Sequence, residues 1–256
     1  MKMTVTFLGT GTSFGVPVIG CRCAVCTSDK PENKRLRASV LLQSGDFNLT
    51  IDCSPDFRQQ AHAHQINHLE AILFTHNHAD HVNGIDDLRA YWWHQRRPVR
   101  LYGEPYVIRD IQERFNYCFR EQLFEGAAPV LDLISIDSET PLQIGPFNVL
   151  PVRARHWNLD ILGFRIGRFA YMTDCSEIPP ASIDKLRGVE HLVLNALRWK
   201  PHAAHFSLDQ AVAVGRQIGA PHVYFTHISH KLEHFEAQAH LENGFQMSYD
   251  GLRIEV

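Results

Sequence analysis

The sequence predicts an α/β (α+β) chain in which two β-sheets pack together with helices outside. Three observations carry this expectation. Short apolar strands recur along the chain, some joined as hairpins and others through helical crossovers. The two halves repeat this style, with no internal repeat, linker or low-complexity run between them. The 256 residues are 45% hydrophobic and 21% charged, an ordinary globular composition with enough apolar surface for a sizeable core. Residues 1–256 are therefore expected to form one domain.

In chain order, residues 3–8 alternate apolar and polar side chains and stop at Gly9-Thr10-Gly11-Thr12, which predicts a strand and a glycine-rich turn. Residues 39–43 and 47–51 flank Ser44-Gly45-Asp46 and read as a hairpin. Ser54-Pro55 predicts a helix to about residue 64, with Ser54 as N-cap and Pro55 in the first turn. Residues 71–74 form a short apolar strand, and helices are expected over 84–93 and 105–117. Strands follow at 130–136, 147–152, 162–166 and 169–173. A helix after Pro179-Pro180 leads to a strand at 191–195. Ser207 caps a helix running to residue 218, and 223–226 is the next strand.

Composition narrows the function. With 25 Lys+Arg against 28 Asp+Glu the net charge is −3, which argues against an extended nucleic-acid surface. No stretch approaches the ~18–20 apolar residues of a membrane span, and the first residues lack a signal-peptide core, so the cytoplasm is the expected location. Of six cysteines, Cys21, Cys23 and Cys26 are crowded together, a spacing that suits a metal better than disulfides. Cys53, Cys118 and Cys175 lie in apolar contexts and read as buried thiols.

The sixteen histidines point to metal. Thr75-His76-Asn77-His78-Ala79-Asp80-His81 follows an apolar strand and carries three imidazoles and a carboxylate, ligands for Zn²⁺, Mn²⁺ or Fe. A strand end followed by a loop lets His76 and His78 converge on one ion while Asp80 and His81 turn to a second. His156, Asp174 and His227 also sit just past apolar strands. Together they could complete two coordination shells at one edge of the sheets.

This H-x-H-x-D-H motif, with His, Asp and His at later strand ends, resembles the metallo-β-lactamase-fold hydrolases over the whole chain. The resemblance implies an αββα four-layer sandwich. It assigns His76, His78 and His156 to one metal and Asp80, His81 and His227 to the other, with Asp174 bridging. It counts Asp80 among the catalytic residues. Asp52, at the end of an early strand, would orient a ligand histidine by fixing its other N–H.

Gly9-Thr10-Gly11-Thr12-Ser13-Phe14-Gly15-Val16-Pro17, followed by Cys21-x-Cys23-x-x-Cys26, resembles the PhnP-like phosphodiesterase branch. That branch opens a phosphoribosyl 1,2-cyclic phosphate and holds a structural zinc. The resemblance assigns this zinc to Cys21, Cys23, Cys26 and His230, in a loop near residues 21–26. It places a general acid at His205, with His202 as the competing choice. Asn77, Ala79 and Asn195-Ala196-Leu197-Arg198-Trp199 depart from the branch pattern and are expected to shape the pocket.

The implied activity is hydrolysis of a small, cyclic or nucleotide-like phosphodiester at a dinuclear site. Two cations would lower the pKa of a shared water, and His205 would protonate the departing alkoxide. The alternatives are a thioester hydrolase of the glyoxalase II type, a tRNA-processing nuclease of the RNase Z type, and a PqqB-like cofactor-pathway protein. Trp157 is expected to wall the substrate, Tyr91-Trp92-Trp93 to join the core, and Arg35 and Arg37 to lie on a solvated face. A homodimer is the commonest assembly for such enzymes.

Overall fold

Two seven-stranded sheets face each other, and each is antiparallel on one side and parallel on the other. The computed structural model describes residues 2–120 and 126–256. The first sheet contains β1 (Thr4–Gly9), β2 (Ser39–Ser44), β3 (Phe47–Ile51), β4 (Ala71–Leu73), β5 (Val99–Gly103) and β6 (Leu131–Ser135). The second contains β7 (Leu142–Ile144), β8 (Phe147–His156), β9 (Leu159–Ile166), β10 (Phe169–Met172), β11 (His191–Asn195), β12 (His222–Thr226) and β13 (Phe245–Met247). The last strand, β14 (Arg253–Glu255), returns to pair antiparallel with β1.

Four helices cover the first sheet's outer face: α1 (Phe57–Ala63), α2 (Ala79–Val82), α3 (Arg89–Gln95) and α4 (Pro105–Arg114). Three cover the second: α5 (Pro180–Leu186), α6 (Leu208–Ile218) and α7 (His234–His240). This is the αββα arrangement, and strand alternation builds it. In β10, Phe169 and Tyr171 enter the layer between the sheets, while Ala170 and Met172 meet the helices behind. The inner layer also buries Phe7, Phe147 and Phe164 completely. Each such side chain contributes roughly 1.5–3 kcal/mol when buried, so packing rather than propensity holds strands as short as β4.

The sequence places most elements correctly, with local corrections. Helix α1 starts at Phe57, two residues after Pro55. Ser54 Oγ accepts from the Asp56 N–H (3.1 Å) in a tight turn, so Asp56 becomes the N-cap. The Asp56 carboxylate serves Arg37 instead (2.8 Å). Ahead of α3 lies a separate 3₁₀ turn, Ile85–Leu88, and α4 stops at Arg114, before another at Asn116–Phe119. Ser207 caps α6 as expected, in a reciprocal capping box with Gln210. The short elements α2, α7, β7, β13 and β14 carry too little periodicity to be seen in the sequence.

Four side-chain expectations need correction. Arg35 is buried, not solvated. It donates to Thr10 Oγ1 and the Ser248 carbonyl (both 2.7 Å) and lies 3.1 Å from His234 Nδ1. Burial lowers its pKa to about 10. Trp93 is exposed and Trp92 half-buried, so only Tyr91 of that run joins the core. Cys118 is half-buried, whereas Cys53 and Cys175 are fully buried.

Candidate active site

The loops after β3, β4, β10 and β12 meet the last residue of β8 at one edge of the sandwich. Asp52 follows β3, His76 follows β4 within three residues, Asp174 follows β10 within two, and His227 directly follows β12. His156 ends β8 itself, because that strand is longer than the sequence suggests. His78 is the N-cap of α2, and this single turn of helix carries Asp80 and His81, whose ring lies 4.3 Å from that of His76.

Backbone conformation at these turns is unusual. Asp52, Asp174 and His227 all have positive φ, of 65°, 55° and 55°. Left-handed backbone costs a non-glycine residue of order 1–3 kcal/mol and persists where its surroundings enforce it. Asn195 supplies one such constraint. Its side chain accepts from the Cys175 N–H (2.7 Å) and donates to the Cys175 carbonyl (3.1 Å), clamping the turn that carries Asp174.

The side chains form two groups joined by one carboxylate. His76, His78 and His156 present nitrogens within 4.8 Å of one another, and so do the ligand atoms of Asp80, His81 and His227. Asp174 lies between them. Its Oδ2 is 2.7 Å from His81 Nε2 and 3.9 Å from His76 Nε2, and its Oδ1 is 3.0 Å from His227 Nε2. Burial pushes the His76 ring well below the usual histidine range and also lowers His156, leaving both neutral with a lone pair to offer. Burial alone would raise Asp174, but His227 and His81 hold it well below the carboxylate range.

Hydrogen bonds behind these residues orient them. Asp52 Oδ2 accepts from the His81 Nδ1–H at 2.6 Å, while Asp52 Oδ1 accepts from the Thr75 N–H at 2.9 Å. His156 Nδ1 donates to the Ala204 carbonyl at 2.8 Å. Thr75 Oγ1 lies 3.0 Å from His76 Nδ1 and 2.9 Å from Asp52 Oδ2, a link the sequence reading missed because a lone threonine carries no signal. In each case the second ring nitrogen is engaged, which leaves Nε2 for a ligand.

Metal fits the unsatisfied atoms. His76 Nε2, both Asp174 carboxylate oxygens, both His227 ring nitrogens and His205 Nδ1 are buried without a hydrogen bond. Leaving one buried polar group unpaired costs ~1–3 kcal/mol, so six in one place need a charge to face. Divalent cations supply it.

His205 joins this group. Its Nδ1 is 3.1 Å from Asp174 Oδ1, and its ring stacks on His227 at 4.9 Å. His202 is exposed and one ring further out, 5.2 Å from His205. Burial, and beyond it the neighbouring His205, Arg198 and Lys231, lower the His202 pKa. A cleft of about 350 Å³ opens from His205 and His227 past His202 to Arg198, Lys231 and Phe14. Trp157 is exposed, with φ 56°, and is not among the residues lining this cleft.

The second cluster lies beside the first, with His230 lining the same cleft as His205 and His227. Cys21, Cys23 and Cys26 Sγ stand 3.3, 3.5 and 3.5 Å from His230 Nδ1. A tetrahedral zinc with the usual bond lengths spaces sulfur and nitrogen at about 3.6 Å, so these four atoms suit a closed site. The Cys26 N–H lowers Cys23 to about 6, while burial raises Cys26 to about 11. His230 is three residues beyond His227. Between them the Ile228 N–H donates to the Thr10 carbonyl at 2.8 Å, tying the glycine-rich turn to both clusters. Glycine is needed in that turn, since a Cβ on Gly9 would lie 2.0 Å from the Arg37 carbonyl.

Residues 48–228 match the family described as Beta-lactamase superfamily domain. A crystal structure described as a new diphosphatase from the PhnP family superposes with a TM-score of 0.93 at 40% identity, covering 100% of this chain and 98% of that one. The chain belongs to the metallo-β-lactamase superfamily, in its PhnP family. The family implies a divalent-metal site, which the His/Asp groups above suit, and the chain carries the fold of a metal-dependent hydrolase. An octanoyltransferase of Porphyromonas gingivalis is 40% identical over 261 residues, covering 99% of this chain but 52% of that protein. Coenzyme PQQ synthesis protein B of Methylorubrum extorquens is 30% identical over 125 residues, 43% of this chain and 40% of its own length. The chain thus spans about half the length, or less, of these curated relatives. No helix among the described residues is long and apolar enough to cross a membrane.

Proposed function

We infer that this PhnP-family protein hydrolyses a small phosphodiester at a dinuclear metal site. The observation that carries the reading is the buried Asp174 carboxylate, which stands between both histidine groups, 2.7 Å from His81 Nε2, 3.0 Å from His227 Nε2 and 3.9 Å from His76 Nε2. His76, His78 and His156 would hold one cation and Asp80, His81 and His227 the other, with Asp174 shared. Zn²⁺, Mn²⁺ and Fe all suit such ligands. Bound cations supply an activated water and neutralise charge on the phosphoryl oxygens.

The chain's own residues do the rest. Asp52 keeps the His81 ring aimed inward, and Ala204 does the same for His156. His205 lines the cleft beside Asp174, where it can pass a proton to a departing alkoxide. Cys21, Cys23, Cys26 and His230 would hold a structural zinc with no open position for substrate. The same reading treats the chain as one cytoplasmic domain, assembled as a homodimer.

An alkoxide needs a proton to leave and a nitrophenolate does not. His205→Ala is therefore expected to lower kcat on alkyl phosphodiesters by roughly 10²–10⁴ and on nitrophenyl diesters far less. Equal losses on both, measured in steady state, would remove His205 from the acid role.

Thioester hydrolysis is the second reading, favoured by the octanoyltransferase relative. The cleft lining favours phosphate over an eight-carbon chain. Four histidines, an arginine and a lysine line it, with Phe14, Val18 and Leu197 as the apolar side chains.

A further inference from the structure

We propose that Arg35 is a positioning residue for the metal site that includes His227, bracing the backbone on both sides of that histidine from the neck of the cysteine loop. The proposal rests on the dinuclear reading for the metal and on the hydrogen bonds around Arg35 for the brace.

Among the buried histidines of the two metal groups, His227 has the least support at its own ring. His76, His81 and His156 each have a polar partner at Nδ1, whereas His227 Nδ1 is buried with none. Its backbone also sits in the left-handed region, at φ 55°. An imidazole without a second hydrogen bond aims at a metal only as well as its main chain is held.

Arg35 supplies that hold. Its Nη1 donates to Thr10 Oγ1 and to the Ser248 carbonyl, both at 2.7 Å. On one side, the Thr10 carbonyl accepts from the N–H of Ile228, the residue after His227 (2.8 Å). On the other, the Ser248 N–H donates to the carbonyl of Phe225, two residues before it (3.0 Å). The Thr10 hydroxyl in turn donates to Asp250 Oδ1 (2.7 Å), and Asp250 Oδ2 accepts from the Leu36 N–H (2.6 Å). Arg35 Nη2 meets His234 Nδ1 at 3.1 Å; burial and the guanidinium hold that ring's pKa at about 4, so it is a neutral acceptor.

The same residue closes the cysteine loop. The Arg35 N–H donates to the Val16 carbonyl (2.7 Å), and the Val16 N–H donates to the Arg35 carbonyl (2.8 Å). The segment with Cys21, Cys23 and Cys26 therefore leaves and returns at this point. Among the described residues the Arg35 side chain forms no ion pair. A buried charge with neutral acceptors is costly to keep, and an apolar side chain would avoid the cost. What the guanidinium adds is a rigid fork of donors that reaches Thr10, Ser248 and His234 at once.

The test titrates Mn²⁺ into protein that keeps its structural zinc, with electron paramagnetic resonance following each binding step. The wild type is expected to take up two Mn²⁺. In R35M one of them should bind roughly 10–100-fold more weakly while the other keeps its affinity and the zinc stays bound. R35K, which retains the charge and a donor, should recover part of the loss. Two wild-type affinities in folded R35M, or equal weakening of both ions with release of the zinc, would overturn the proposal. Should R35M not fold, T10V, which removes only the hydroxyl between Arg35 and Asp250, is judged by the same criterion. Hydrogen exchange in the protein without active-site metal gives a reading independent of Mn²⁺. The Ile228 amide should exchange faster in the variant while those of β10 do not, and unchanged exchange at Ile228 would overturn the brace. If the wild type takes up no pair of Mn²⁺ ions, the dinuclear reading fails, and the exchange comparison still decides the role of Arg35.

Discussion

At the residue scale, the site is legible because its ligands are chemically conspicuous and its supports are not. His76, His78, Asp80 and His81 announce themselves by crowding, and His156, Asp174 and His227 by following strands. Thr75 and the Ala204 carbonyl, which orient His76 and His156, leave no trace in composition or spacing. The positive φ at Asp52, Asp174 and His227 is equally silent, because the fold imposes it. Arg35 was misread for the same reason, since a charge looks solvated until Thr10 and the Ser248 carbonyl enclose it. Asp52 gives the sharpest test at this scale. Its 2.6 Å bond to His81 Nδ1 sets which ring nitrogen can bind metal. Asp52→Ala is expected to weaken metal affinity about 10–100-fold in a chelator competition. Wild-type affinity in a folded variant would make Asp52 merely structural.

At the element scale, hydrophobic period and caps located the long elements and missed the short ones. Helix α6 was readable from Ser207 at one end and Gly219, with φ 81°, at the other. The four-residue α2 was not, although it carries Asp80 and His81. Of the five residues 195–199 expected to shape the pocket, Leu197 and Arg198 line the cleft. Asn195 clamps the Asp174 turn instead, and Trp199 packs against the second sheet's outer core. The cysteine loop is an element with almost no regular structure, so its order has to come from its ligands. Cys23→Ser is expected to release one tightly held zinc per chain and lower the melting temperature. Metal analysis beside calorimetry reads both, and unchanged zinc content would rule out the Cys₃His site.

At the scale of the whole molecule, two sheets of matching plan bring strand ends that are far apart in sequence to one edge. His76 and His227 are 151 positions apart in the chain, yet both approach Asp174. Strand alternation made the layered class visible in the sequence. It could not show that the cleft beside the ligands faces Arg198 and Lys231, since that depends on how residues 197–208 fold back on Ser229. The fold is shared by hydrolases of different substrates, so chemistry at this edge, rather than architecture, decides the reaction.

The most direct test is to load the purified protein with Mn²⁺ or Zn²⁺, count the bound metal, and compare turnover of bis(p-nitrophenyl) phosphate with that of an octanoyl thioester. The expected outcome is two metals per active site beyond the structural zinc, with phosphodiester cleavage and little thioester hydrolysis. A protein that holds both metals and leaves the phosphodiester intact would contradict it.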